Sequence, residues 1–143
     1  MMRGQAGLEF VAVMGFVILF FAIASLAISQ YSLQVDAKAE SVDASRLAAQ
    51  ISSIASIASA STGYRSEFDV PGSLFGGAPY SVIVGNASVI VSFEGQRGFI
   101  NVSAPHSAYA VTNNESSGPG FALAAGRYAA YEQGGKVVFE KIG

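Results

Sequence analysis

The chain has 143 residues, of which 51% are apolar and 13% charged, and its formal net charge is −2. It contains no cysteine and one histidine, His106. This excludes a disulfide framework, a thiol nucleophile, a thiolate metal site and a histidine-based zinc cluster. No block of Lys or Arg occurs, so the basic stripe expected of a nucleic-acid binder is missing.

The apolar excess is concentrated near the start. Residues 10–28 are nineteen consecutive positions without charge and with one hydroxyl, Ser25. A helix of about 20 apolar residues crosses a bilayer core, so this run is of membrane length. Three readings fit it. One is a secretory signal cut after a small-x-small site such as Ala22-Ile23-Ala24. Another is a signal anchor, with Arg3 inside and the acidic stretch 36–43 outside by the positive-inside bias. The third is a class III signal peptide, cut before the apolar run so that the run is retained. Glu9 bears on the choice. It stands at the edge of the run, where a carboxylate costs less than the about 2.5–3.5 kcal/mol of a bilayer centre. The run also exceeds the roughly 7–15 residues of a secretory core.

The segment Arg3-Gly4-Gln5-Ala6-Gly7-Leu8-Glu9-Phe10 resembles the class III processing site of archaeal type IV pilins. In that family a short basic leader ends in glycine, a glutamine follows the cut, and the fifth mature residue is glutamate. Counted from Gln5, Glu9 is the fifth; Gly7 stands where the family commonly has serine. The resemblance implies a leader at residues 1–4, removed by a prepilin peptidase between Gly4 and Gln5. It also implies pairing of Glu9 with the new ammonium on Gln5 of the same or a neighbouring subunit. A lone carboxylate among apolar helices would otherwise be costly. Phe10, Val13, Phe16, Phe20 and Phe21 are the expected filament-core residues, with Val17 rather than a phenylalanine between them. The implied partners are other copies of the chain in a helical homopolymer, the membrane before assembly, the peptidase, an assembly ATPase and a membrane platform protein. The implied precursor lies in the cell membrane with its N-terminus cytoplasmic, and the mature chain lies in extracellular filaments used in adhesion. A minor pilin or pseudopilin of an assembly or secretion system, and a monomeric membrane-anchored surface protein, are the alternatives.

No proline precedes Pro71, and Gly15 is the only glycine between Leu8 and Thr62. A continuous helix over 5–61 is expected, about 85 Å long at 1.5 Å per residue. Bacterial type IV pilins usually carry a helix-breaking proline in this half; here none is present, so no melted segment is expected. After Ser29 the helix turns amphipathic. Leu47, Ile51, Ile54 and Ala58 form an apolar stripe that Leu33, Ala37 and Ala44 extend, while Asp43, Arg46, Gln50 and Ser53 lie on another face. Thr62-Gly63 is the expected stop.

Residues 64–143 read as a β-rich head. Strands are expected at 80–84, 87–94, 99–104, 109–112, 126–132 and 136–142, with turns at Gly85-Asn86, 95–98 and Gly134-Gly135 and a polar loop at 113–120. The expected fold is α+β: one long helix, apolar then amphipathic, packed on an antiparallel sheet or sandwich. Three of the four asparagines, Asn86, Asn101 and Asn114, begin Asn-x-Ser, making them candidates for N-glycosylation outside the cell. No catalytic constellation stands out. His106 in Ala104-Pro105-His106-Ser107 reads as a surface residue in a turn, Glu67 and Asp69 as a solvated pair on one face of a strand, and Gly118-Pro119-Gly120 as a turn rather than a phosphate loop. Neither a metal nor a cofactor is expected, and the function read from the chain is structural rather than enzymatic.

Overall fold

The computed structural model describes residues 3–95, 98–113 and 120–143, with side chains from Gly7 onward. One α-helix, α1, runs without interruption over Arg3–Ala60. Its chain of alanine, serine and long aliphatic residues offers no proline and a single mid-helix glycine, so nothing in it forces a break. It ends in a turn closed by the Tyr64 N–H on the Ser61 carbonyl at 3.1 Å, with Gly63 at φ 81°. That left-handed backbone is accessible to glycine at little steric cost. The chain forms two compact units, Met1–Asp36 and Ala37–Gly143.

The second unit contains eight strands: β1 Arg65–Val70, β2 Tyr80–Gly85, β3 Ser88–Gly95, β4 Gly98–Pro105, β5 Val111–Asn113, β6 Gly120–Leu123, β7 Gly126–Gln133 and β8 Lys136–Lys141. They form two four-stranded sheets, ordered β1-β7-β8-β5 and β4-β3-β2-β6. All pairings are antiparallel except β5 with β8, which is parallel. The expected antiparallel character therefore holds with that one exception. Strand β6 falls where no strand is expected from the sequence, and Asn113 and Gly120 are strand ends rather than loop residues. The β7–β8 hairpin turns at Gly134 and Gly135, with φ 63° and 79°, the pair of positive angles that a two-residue primed turn requires. The Gly135 N–H donates to Glu132 Oε1 at 2.7 Å and holds that turn.

One core unites the helix and both sheets. Ala44, Leu47, Ala48, Ile51, Ala55 and Ala58 are buried along α1, at spacings of three and four residues that place them on one face. They meet Val82, Val84, Val89, Val91 and Phe93 of β2 and β3, and Phe68, Tyr128 and Phe139 of the other sheet. Phe68 stacks on Tyr128 and meets Phe139 edge-on, both at 5.9 Å between ring centroids. Alternation in β3 is as the sequence predicts, with Val89, Val91 and Phe93 inward. The stripe is shorter than its periodicity suggests: Ala37 is half-buried, and Leu33 is exposed.

Candidate functional site

The largest exposed apolar surface of the first unit is α1 itself. Every described residue from 7 to 30 is exposed except Ala24, which is half-exposed. Phe10, Val13, Phe16, Phe20 and Phe21 each leave more than half their surface in solvent. They occupy several faces of the helix, so the segment is apolar all round rather than amphipathic. Such a helix is stable only in lipid or among other apolar helices, because exposing it to water costs about 25 cal/mol per Å² of apolar surface. It is long and apolar enough to cross a membrane, which suits a membrane-associated precursor. Glu9 sits on α1 one turn beyond position 5 and is exposed. The Gln5 side chain lies outside the described residues.

The C-terminal half of α1 is bound to the sheets by hydrogen bonds as well as by packing. Ser52, buried within the core stripe, donates its hydroxyl to the Pro105 carbonyl at the end of β4. One turn on, Ser56 Oγ accepts from the Ser107 N–H at 3.2 Å. Asp43 accepts from the Phe75 N–H at 3.1 Å and thereby holds the loop between β1 and β2. The polar residues of this helix face therefore do not all point to solvent: Asp43 is half-buried, whereas Arg46, Gln50 and Ser53 are exposed. A cleft of about 290 Å³ lies here, with Leu47, Pro71 and Leu74 as its apolar part and Asp43, Arg46 and Asp69 among its polar lining. Nearby, Tyr80 donates to the Pro71 carbonyl, and its hydroxyl is pushed up to about 12, first by burial and then by the charge of Asp43.

Glu67, Arg65 and His106 make contacts within the head. Glu67 and Asp69 are exposed on β1, but Glu67 Oε2 is held by Arg127 of β7 at 2.7 Å, so the two carboxylates do not act as a free pair. Arg65 lies over the Tyr131 ring at 5.3 Å and near Glu140 at 3.8 Å. His106 departs from the surface position expected of it. It is half-buried, with Nε2 at 2.8 Å from the Gly85 carbonyl, while its own N–H donates to the Ala87 carbonyl. The ring thus ties the end of β4 to the β2–β3 turn, a non-local contact that the local turn sequence does not announce. Among the described residues no three His, Asp or Glu side chains gather as a metal site would require.

Two of the three sequon asparagines are placed. Asn86 is exposed in the β2–β3 turn, and Asn101 is exposed in the middle of β4. Asn114 and Gly118-Pro119 lie outside the described residues.

A long N-terminal helix, apolar and then amphipathic, joined to a β-sheet head is the general architecture of type IV pilins. No protein-family model, curated protein or solved structure matches the chain.

Proposed function

We propose that this chain is the precursor of a structural subunit of a type IV pilus-like filament of the archaeal kind. A prepilin peptidase cuts between Gly4 and Gln5, and the chain waits in the membrane through residues 10–28 until it polymerises. Because lipid tails and neighbouring helices are about equally apolar, the transfer from bilayer to filament core gains little hydrophobic free energy. Passage through water would cost far more, so assembly proceeds directly from the membrane, driven by an ATPase and a platform protein. In the filament the heads face outward, carry N-glycans at exposed sequons and serve in adhesion.

The observation that carries this reading is the all-round exposure of the apolar segment of α1, with a single carboxylate, Glu9, at its edge. A monomeric membrane anchor would bury the same segment in lipid, yet it gives Glu9 no partner. In a polymer the ammonium of Gln5 supplies one. Shearing cells, sedimenting the released material and examining it by electron microscopy tests the proposal. The chain is expected as the main component of thin filaments. Its recovery solely as a detergent-soluble membrane monomer would overturn the proposal, and its presence as a trace component would favour a minor pilin.

A further inference from the structure

Two four-stranded sheets present four edge strands, and three of them carry a recognisable guard against pairing with another chain. Strand β1 alternates three charged residues, Arg65, Glu67 and Asp69, along its length. Strands β5 and β6 are short among the described residues, at three and four residues. The fourth edge, β4, has none of these devices. It is eight residues long, has no charged side chain, and holds its only proline, Pro105, at its end.

The edge of β4 meets α1 at its end, where Ser52 bonds the Pro105 carbonyl, and carries exposed side chains along its centre. In an antiparallel pair, residues alternate between those bonded to the partner strand and those whose N–H and C=O point away from it. Pro105 belongs to the second set, because its carbonyl accepts from Ser52 of α1 rather than from β3. By alternation Phe99, Asn101 and Ser103 share that set. Their side chains are exposed, and Phe99 leaves 80% of its surface in solvent. Uncharged, rich in β-branched and aromatic residues and free of internal proline, this stretch has the composition of a strand that pairs with others.

The two polar side chains in the middle of this edge are the acceptor and hydroxyl of one sequon, Asn101-Val102-Ser103. Val102 points inward and is half-buried, so both sequon side chains share the exposed face. We infer that an N-linked oligosaccharide on Asn101 is the guard of the β4 edge, doing sterically what charge and shortness do on the other three. Attachment forms a bond between Asn101 Nδ2 and the anomeric carbon of a lipid-phosphate-linked oligosaccharide. The anomeric C–O bond breaks, the lipid phosphate departs with the electron pair, and Nδ2 loses one proton. The transferase and this donor belong to the cell surface, so the inference rests on the extracellular reading above.

The test uses the full chain, purified in detergent from a host with an N-glycosylation pathway. Peptide mass spectrometry reads occupancy, while light scattering and thioflavin fluorescence read β-type association over time. Wild type is expected to carry the glycan at Asn101 and to stay dispersed. Asn101→Gln and Ser103→Ala are expected to lose it and to raise the associated fraction several-fold. Asn101→Lys, which lacks the glycan but places a charge on the edge, is expected to remain dispersed, as is Asn86→Gln, which removes the sequon of the β2–β3 turn and leaves the β4 edge as it is. Wild type unmodified at Asn101 would overturn the inference, as would an Asn101→Gln chain as dispersed as wild type. Association of Asn101→Lys to the same degree as Asn101→Gln would overturn it too. All these measurements are made on dispersed subunits, so failure of the filament proposal shows separately, in the absence of sedimenting filaments.

Discussion

Replacing Ile51 by alanine probes whether the second half of α1 is part of the head's core. Ile51 is fully buried, whereas Ile57, two turns on in the same helix, leaves 43% of its surface exposed. The substitution removes three side-chain carbons. At about 0.8 kcal/mol per buried CH₂ the transfer loss alone is about 2.4 kcal/mol. With the cavity left against the β-sheet side chains, the total falls in the range of about 2–5 kcal/mol. A domain of this size has about 5–15 kcal/mol in all, so the loss is a large share of it. The melting temperature is expected to drop on the order of 10–20 °C. Ile57→Ala removes the same atoms from an exposed site and gains helix propensity, so its effect is expected within about 0.5 kcal/mol of zero. Thermal melts of the detergent-solubilised chain, followed by near-ultraviolet circular dichroism of its tyrosines, compare the two. Equal melting of the Ile51→Ala and Ile57→Ala variants would refute the shared core.

Two further predictions address other parts of the molecule. Glu9→Val is expected to insert into the membrane and to be processed normally while filament yield falls to background, as read by shearing and immunoblotting; wild-type yield would sink the charge-pairing role. Tyr80 supplies a pH dependence. Its folded value of about 12 lies above the ordinary 10.0, because burial and the Asp43 charge both favour the neutral phenol. Its stabilising contribution is therefore intact below pH 10 and is lost as pH rises from 10 toward 12. Tyr80→Phe is expected to flatten the alkaline fall in stability over that window, and an unchanged alkaline profile would contradict the assignment.

Much of this architecture is visible in local chemistry. The absence of proline before Pro71 permits one helix, the uncharged run 10–28 marks its lipid-compatible part, and the Leu47–Ile51–Ala58 spacing marks the face that the sheets cover. Strand β3 is equally plain, because valines and phenylalanine alternate with serines. Strand β6 escapes such a reading. Gly120-Phe121-Ala122-Leu123 is too short for a period to emerge, and its partner β2 lies far back in the chain. The parallel pairing of β5 with β8 and the division into two sheets are likewise set by contacts distant in sequence. The same is true of side chains. Nothing beside His106 or Asp43 indicates that one will reach the Gly85 carbonyl and the other the Phe75 N–H. The processing motif is the reverse case: Gly4, Gln5 and Glu9 acquire meaning from their order along the chain, because their proposed partners are a peptidase and other subunits.

The N-terminal residue of the chain recovered from sheared surface material tests the filament proposal most directly. Mass spectrometry of that material is expected to find filaments whose subunits begin at Gln5 and retain residues 10–28. A chain beginning at Ser25 and released without filaments, or one beginning at Met1 or Met2 and confined to the membrane, would contradict it.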